Sequence, residues 1–256
     1  MFIDTHTHLY VEQFDDDYQA VIDQAMSKGV RQFLMPAIDS TYTVKMQQLK
    51  SAYPKHIHLM AGLHPTHVKS DFDKELAHVR ENLTQHEYVA IGEIGIDLYW
   101  DKTYLKEQQT AFQTQIEWAK EMDLPIVIHA RESFDEIFDI LAQEQSERLR
   151  GVFHCFTGTL KQAHLAISYG MALGIGGVVT FKNGKIDRFL HEIPLEHIVL
   201  ETDSPYLAPT PYRGKRNEST YIPLIAEKLA DIYKVPVEEI ANITTANARE
   251  IFKLPV

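Results

Sequence analysis

The first eight residues, Met1-Phe2-Ile3-Asp4-Thr5-His6-Thr7-His8, pass from a short apolar run directly into carboxylate and imidazole side chains. The same change recurs along the chain after apolar runs rich in β-branched residues, a composition typical of strands. The runs predicted as strands are residues 1–4, 32–37, 58–63, 89–92, 125–129, 151–154, 172–175 and 198–201. They recur about every 28 residues, which is the spacing of strand-plus-helix units in a parallel sheet.

Amphipathic stretches fill the intervals between the predicted strands. Residues 104–122 and 134–145 both carry apolar side chains near helical spacing. The strands are apolar on both faces, as expected for a parallel sheet that helices cover. This alternation predicts one α/β domain over residues 1–256, a single (β/α)8 TIM-type barrel, with a doubly wound open sheet as the alternative. Two or three helices within residues 221–252 are expected to close the chain.

The composition excludes several classes of protein. With 45% hydrophobic residues, the chain is neither collagen-like, nor a coiled coil, nor disordered. Its apolar runs are far shorter than the roughly 20 residues that cross a bilayer. A single cysteine and a start unlike a signal peptide predict a cytoplasmic protein without a membrane or obligate protein partner. Because 36 acidic residues outnumber 25 basic ones, for a net charge of −11, any contact with nucleic acid must use a local basic patch.

Ionisable side chains stand at the carboxyl ends of most predicted strands. His6 and His8 follow the first strand, and alternation along extended backbone turns both to one side. The later strands end in His64, Glu93, His129 with Arg131, His154, and Asp203. Barrel active sites are built at the carboxyl ends of the strands, so these side chains are expected to converge on one rim.

Imidazole and carboxylate side chains together are typical ligands of Zn, Mn, Fe or Ni, with Mg where carboxylates dominate. The predicted metal ligands are His6, His8, Glu93, His129, His154 and Asp203. They are too many for one tetrahedral ion and suit two divalent ions (Mg, Zn or Mn) that share a carboxylate. Glu93 is the expected bridge, because it is the fourth strand's only candidate and the glycines beside it leave room.

Other histidines and the cysteine receive different roles. His64 is expected to contact substrate rather than metal. Cys155 follows a predicted ligand, so alternation turns it into the helix layer, where packing is its expected role. The histidines expected to be structural are His56, His58, His67, His78, His86, His164, His191 and His197.

Seven short motifs are spread over the whole chain. They are Asp-Thr-His-Thr-His (4–8), Gly-Leu-His-Pro (62–65), Gly-Glu-Ile-Gly-Ile-Asp (92–97), His-Ala-Arg (129–131), His-Cys-Phe-Thr-Gly (154–158), Glu-Thr-Asp-Ser-Pro (201–205) and Arg-Gly-Lys-Arg-Asn (213–217). In content and order this set resembles the TatD-type metal-dependent hydrolases, DNases among the amidohydrolase-like metal barrels. Two departures touch substrate loops: Ser219 stands where proline commonly follows, and Leu98 where tyrosine usually follows Asp97.

The resemblance implies a (β/α)8 fold, two divalent ions and cleavage of phosphodiester bonds in DNA. It implies that the first-strand histidines and the eighth-strand aspartate hold one ion. The fifth- and sixth-strand histidines are implied to hold the other, with Glu93 contacting both.

Phosphodiester hydrolysis needs a nucleophile at neutral pH, for which a metal-activated water is predicted. Asp203 is predicted to orient or deprotonate this water, and Asp203 and Glu93 form the predicted catalytic pair. Glu201, two residues earlier on the same strand, is expected to support the ligands from behind.

Cations and aromatic rings are interleaved in the loops after strands four, five, seven and eight, a pattern that predicts a groove for single-stranded nucleic acid. The residues concerned are Arg131, Lys182, Lys185, Arg213, Lys215, Arg216, Tyr99, Trp100, Phe181, Tyr206 and Tyr212. From these and the strand ends, the predicted substrate contacts are His64, Arg131, Arg213, Lys215 and Tyr99.

The predicted function is that of a metal-dependent deoxyribonuclease acting as an exonuclease on single-stranded ends, with DNA as its partner. One alternative is a related binuclear hydrolase of a small lactone, amide or nucleobase. Another is a nucleic-acid-binding or scaffold protein whose metal serves only stability.

Overall fold

Eight parallel strands, hydrogen-bonded in chain order, form the centre of the structure, a computed structural model that describes residues 1–255. The strands are β1 Phe2–Asp4, β2 Val30–Met35, β3 Ile57–Ala61, β4 Ala90–Asp97, β5 Ile126–Arg131, β6 Gly151–Phe153, β7 Met171–Ile175 and β8 Ile198–Leu200. The largest difference from the predicted bounds is β4. It continues past Gly92 to Asp97, because Gly95 and Asp97 pair with His129 and Arg131 of β5.

Helices alternate with the strands and cover the outside of the barrel. The α-helices of residues 1–255 are α1 Tyr18–Ser27, α2 Thr43–Ala52, α3 Phe72–Gln85, α4 Leu105–Met122, α5 Phe134–Glu144, α6 Leu160–Ser168, α7 Ile222–Tyr233 and α8 Val237–Phe252. One helix follows each strand from β1 to β6, short 3-10 turns follow β7, and α7 and α8 close the chain as predicted. The predicted (β/α)8 barrel is confirmed.

The barrel closes where the chain beyond β1 meets the chain beyond β8. The Thr5 amide donates to the Leu200 carbonyl at 3.0 Å, and the Asp203 amide donates to the His6 carbonyl at 2.9 Å. A buried Asp4 carboxylate strengthens the seam, since it accepts the hydroxyls of Thr202 at 2.6 Å and Ser219 at 2.7 Å. This seam brings the first and last ligand motifs side by side.

The barrel interior is filled near the amino ends of the strands by one apolar residue from each strand. These residues are Ile3, Leu34, Met60, Ala90, Val127, Val152, Ala172 and Val199. Ala248, Phe252 and Leu254, on and just after α8, pack against them and cover that end of the barrel. The polar residues are therefore left at the opposite, carboxyl end. Over residues 1–255, no helix combines the length and apolarity needed to cross a membrane.

Candidate metal centre

The carboxyl ends of five strands bring all six predicted metal ligands together. His6 and His8 follow β1, Glu93 lies on β4, His129 on β5, His154 follows β6 and Asp203 follows β8. Apart from the half-buried His129 and Asp203, these side chains are almost fully buried. Five of them line a cavity of about 620 Å³, whereas His6 is fully buried and lies 3.1 Å from Glu93.

Glu93 lies at the middle of this cluster, and its two oxygens face different histidines. Oε2 is 3.1 Å from His6 Nε2 and 3.7 Å from His8 Nε2. Oε1 is 2.7 Å from His129 Nδ1 and 3.5 Å from His154 Nε2. One oxygen of Glu93 therefore faces the histidines that follow β1, and the other faces His129 and His154. This is the geometry that a bridging ligand requires.

Asp203 completes the group on the β1 side. Its Oδ1 lies 3.6 Å from His8 Nε2 and 3.9 Å from His6 Nε2, and donor atoms of all three residues lie within 4.8 Å of one another. Asp203 has a φ of 59°, in the left-handed region that few residues other than glycine, asparagine and aspartate adopt. This turn points its carboxylate back over the β1 histidines.

The histidines on β5 and after β6 group differently from the prediction, which placed His129 and His154 together. Donor atoms of His64, Glu93 and His129 form one set within 4.8 Å, and those of His6, Glu93 and His154 form another. His64 Nε2 is 3.3 Å from Glu93 Oε1, so His64 lies beside the predicted ligands as well as lining the cavity. The rings of His6 and His154 are stacked, with centroids 3.6 Å apart.

The pKa shifts of Glu93, Asp203 and His6 favour the forms of these three side chains that bind a divalent cation. Burial disfavours ionisation of Glu93, but His64, His154 and His6 outweigh it and hold the pKa of its carboxyl well below the usual value. The pKa of Asp203 is likewise lowered, because His154 and the β1 histidines outweigh its burial. Burial and the neighbouring His154 lower the pKa of His6, which leaves its ring neutral. Ionised carboxylates and neutral imidazole are the ligand forms that Zn or Mn binds.

A tyrosine that the sequence analysis missed fixes the orientation of His8. The buried Tyr10 hydroxyl donates to the Pro36 carbonyl at 2.5 Å and lies 2.7 Å from His8 Nδ1. Because the hydroxyl proton is already used, the tyrosine oxygen accepts from His8 Nδ1–H. That contact fixes the tautomer and leaves the Nε2 lone pair facing Glu93 and Asp203. The sequence offered one signal for this contact, the spacing of two positions between His8 and Tyr10.

Asp97 is a second missed contact. Its Oδ2 lies 2.9 Å from His129 Nε2, so both ring nitrogens of His129 face carboxylates. Burial opposes the charged ring, but Asp97 and Glu93 outweigh it and raise the pKa of His129. The alternation Glu93, Gly95, Asp97 along β4 turns both acids to one side, which was visible in the sequence.

Glu201 contacts His154, in agreement with its predicted supporting role. Its Oε1 is 3.1 Å from His154 Nδ1 and accepts the Cys155 amide. A Cβ on Gly174 of β7 would lie 2.2 Å from Glu201 Oε2, so only glycine leaves room for this carboxylate. Burial lowers the pKa of His154, but Glu201, Glu93 and Asp203 together raise it to about 10.

Comparison with known proteins identifies the family. The model of the TatD-related DNases matches residues 3–253. The chain belongs to this family. It is 38% identical over 255 residues to the uncharacterised metal-dependent hydrolase YabD of Bacillus subtilis, covering 99% of this chain and 100% of the relative. The resemblance stated from the motifs is confirmed, and the chain stands among metal-dependent hydrolases.

Two further relatives of this TatD-related chain are informative. It is 30% identical over 257 residues to a protein of Yersinia pseudotuberculosis named 3′-5′ ssDNA/RNA exonuclease TatD, with 98% of this chain and 99% of that protein covered. The crystal structure of YjjV, a TatD homologue of Escherichia coli, superposes with a TM-score of 0.93 at 30% identity. That alignment covers 99% of this chain and 98% of YjjV.

Two expectations about this TatD-related site are corrected. Cys155 does not turn into the helix layer but lines the cavity. The reason is that β6 ends at Phe153 and Cys155 has a φ of 43°, so strand alternation no longer applies. His67, expected to be structural only, also lines the cavity, and its Nδ1 lies 2.6 Å from Asp39 Oδ2.

The three cations predicted to contact substrate each lie near an aromatic ring. The Arg131 guanidinium lines the cavity, 3.8 Å over the half-exposed ring of Tyr99. Arg213 lies 3.5 Å over the ring of Phe181, and Lys215 lies 5.9 Å from that of Tyr212.

Arg216 departs from the predicted set of loop cations. Its guanidinium binds Asp17 at 2.7 Å and Glu218 at 2.8 Å, and it also donates to the Gln13 carbonyl. The charge of Arg216 is thus already neutralised within the chain. This residue fixes its loop to the segment before α1 rather than offering a free cation.

Proposed function

We propose that this TatD-related hydrolase cleaves phosphodiester bonds in DNA as an exonuclease on single-stranded ends. The observation that carries the proposal is the position of Glu93, whose two oxygens face two sets of donors at the floor of an open cavity. The Yersinia relative named as an ssDNA/RNA exonuclease supports the choice of substrate.

We further propose that two divalent ions bind, with Glu93 between them. His6, His8 and Asp203 would hold one ion, and His129 and His154 the other. Paired ions of this kind supply a nucleophile at neutral pH and neutralise charge on the phosphate. Binding at His129 requires its ring to lose a proton, since carboxylates now face both of its nitrogens.

The side chains around Glu93 have separate tasks in this proposal. Asp203, ionised and partly open to the cavity, accepts the proton of the attacking water. Glu201 keeps the ring of His154 in place and balances its charge. Asp97 does the same for His129 from the other side of the cavity. These carboxylates restrict each ring to one orientation before substrate arrives.

The cations at the rim give the substrate's phosphates their contacts. Arg131, with its guanidinium 3.8 Å over the ring of Tyr99, lines the cavity, where it can bind two oxygens of one phosphate. His64 lines the cavity beside Glu93 and reaches a phosphate held there. Arg213 and Lys215 on the loop after β8 would contact phosphates farther along the strand.

The test is incubation of metal-reconstituted protein with end-labelled single- and double-stranded DNA of the same sequence. Stepwise loss of nucleotides, faster from the single strand, is the expected result. Absence of cleavage with Mg, Mn and Zn alike, in protein shown to bind the ions, would overturn the proposal.

Asp203→Asn is the matched variant, because it keeps the size of the side chain and removes its basicity. Cleavage should fall by about 10²-fold or more, the scale of lost general-base assistance. The fold should persist, since Asp203 lies at the rim, and a thermal unfolding curve checks this. Activity within a few-fold of the parent would exclude Asp203 from the chemistry.

A further inference from the structure

We propose that Trp100 is the stacking site for an unpaired base beside the phosphate bound in the cavity that Glu93 lines. This inference rests on the proposed function and narrows its substrate to nucleic acid whose base at that position is unpaired. Three observations carry it: the exposure of Trp100 at the cavity, the anchoring of its turn, and the cation next to it.

Trp100 is the most exposed large apolar side chain among residues 1–255, at 69%, and it lines the cavity. The ring of Tyr99 meets it edge to face, with centroids 4.9 Å apart. An indole left this open has no packing role to explain it, and beside the Arg131 guanidinium, 5.3 Å from the ring centre, it exposes surface to a planar partner. Nucleic-acid bases are such partners, because every base offers a π-face.

The turn that carries Trp100 is fastened to the metal centre by one carboxylate. Asp97 Oδ1 accepts the amides of Tyr99 at 3.0 Å and Trp100 at 3.1 Å. The other oxygen of Asp97 lies 2.9 Å from His129 Nε2. Gln108 of α4 in turn accepts the Asp97 amide at 2.9 Å. The backbone of Trp100 is therefore held in a fixed position relative to His129.

The cation beside Trp100 suits the phosphate of the same nucleotide. The Arg131 guanidinium is 3.8 Å from the centre of the Tyr99 ring and 5.3 Å from that of Trp100. Base and phosphate of one nucleotide thus meet a ring and a cation that are themselves in contact. A base inside a duplex has both faces covered by its neighbours, so the indole favours a base that is unpaired.

The two tryptophans of the chain allow a direct measurement. Trp118 lies on α4, where the guanidinium of Arg80 lies 5.7 Å from its ring. In a Trp118→Phe protein, Trp100 is the sole indole, and its fluorescence reports stacking. The probe is oligothymidylate with phosphorothioate linkages, which resist hydrolysis, added to the metal-loaded protein. A second series places one abasic nucleotide at each position in turn.

We expect the oligonucleotide to quench Trp100 fluorescence, and one abasic position to weaken binding about tenfold, within the range for one stacked base. In Trp100→Ala, where the anisotropy of a labelled strand replaces the lost indole signal, binding to the intact strand should weaken by the same factor and that abasic position should carry no further penalty. Trp100→Phe should restore much of the loss. Trp118→Ala, the matched control, should leave the abasic penalty unchanged.

The outcomes separate the two proposals. If labelled DNA is cut but the abasic penalty is the same with and without Trp100, the stacking site is wrong and the phosphodiesterase proposal stands. If the strand quenches Trp100 but no metal supports cleavage, the stacking site stands and the proposed reaction is wrong. If the strand neither binds nor is cut, both are overturned.

Discussion

Single hydrogen bonds decide which histidine nitrogens are free to bind metal. The Tyr10 hydroxyl donates its proton to the Pro36 carbonyl, so His8 Nδ1 must be the donor in the 2.7 Å contact between His8 and Tyr10. Its Nε2 is then left with a lone pair toward the cavity. The phenol of Tyr10 thus orients His8, a role that carbonyls and carboxylates often have toward metal-bound histidines.

Tyr10→Phe should therefore lower metal affinity while leaving the fold intact. The ring of His8 loses its fixed tautomer, and a tenfold or greater loss of affinity is expected for contacts of this kind. Competition with a chromophoric chelator measures it. Tyr53→Phe, at the end of α2, is the control and should bind metal like the parent. Equal affinity in both variants would contradict the assigned tautomer.

His58 should make the protein sensitive to acid away from the metal centre. It is 6% exposed on β3, and burial, with help from Lys50 and His56, lowers its pKa from 6.5 to about 4. Between pH 4 and pH 6.5, His58 is protonated in the unfolded chain but not in the folded chain. The free energy of unfolding therefore falls as the pH drops from 6.5 to 4. The loss should reach about 3 kcal/mol.

His58→Leu is the variant that tests this linkage. Its free energy of unfolding, measured by urea titration at pH 7 and pH 4, should fall less than that of the parent over the same interval. An identical fall in both proteins would show that other groups cause the acid sensitivity.

The six side chains of the cluster were predictable because each is a charged or imidazole group that ends an apolar run. Residues such as Asp97 and Tyr10 were missed, since their roles depend on contacts with a neighbouring strand or a backbone carbonyl. Cys155 was misplaced for a local reason: its left-handed backbone cannot be inferred from period-two alternation.

At the scale of elements, the strand that departs most from its predicted length is β4. Its polar and glycine-rich end, from Gly92 to Asp97, has low intrinsic strand preference. Pairing with β5 overrides that preference and carries Glu93 and Asp97 on one continuous strand. Sequence periodicity located the element, whereas its end was decided by a neighbour elsewhere in the chain.

Helix α8 should contribute strongly to stability, because it covers the amino end of the barrel. Phe252, 2% exposed, packs against the layer of interior side chains. Phe252→Ala should cost about 3–5 kcal/mol through lost burial and the cavity left behind.

The neighbouring residue provides the control for this prediction. Lys253 is 60% exposed at its side chain and pairs with the exposed Asp123. Lys253→Ala should cost less than about 1 kcal/mol, as usual for surface ion pairs. Denaturant unfolding of both variants checks the contrast. Similar losses would mean that α8 does not seal the barrel tightly.

For the molecule as a whole, the net charge of −11 disfavours contact with a polyanion, so binding must depend on local cations. If Arg213 and Lys215 contact phosphates, each contributes about −0.7 to the slope of log K against log salt for a single strand. The Arg213→Ala/Lys215→Ala protein should therefore show a slope flatter by about 1.4. Fluorescence anisotropy of a labelled oligonucleotide over a salt series measures it.

The control for the salt experiment removes two cations from the far end of the barrel. Lys28 and Lys55 stand just before β2 and β3, at the amino ends of the strands. Their double replacement by alanine makes the same change in net charge. The slope should stay that of the parent, and an equal flattening would mean that overall charge governs binding.

The seam between β1 and β8 also has a consequence for synthesis on the ribosome. Thr5 and Leu200, which it joins, are 195 positions apart. Asp203 follows β8, so seven strands of the barrel are synthesised between His8 and Asp203. Under the proposed ligand set, the nascent chain therefore carries only part of the site while β2 to β8 are made. It gains the carboxylate of Asp203 only after β8 has been synthesised.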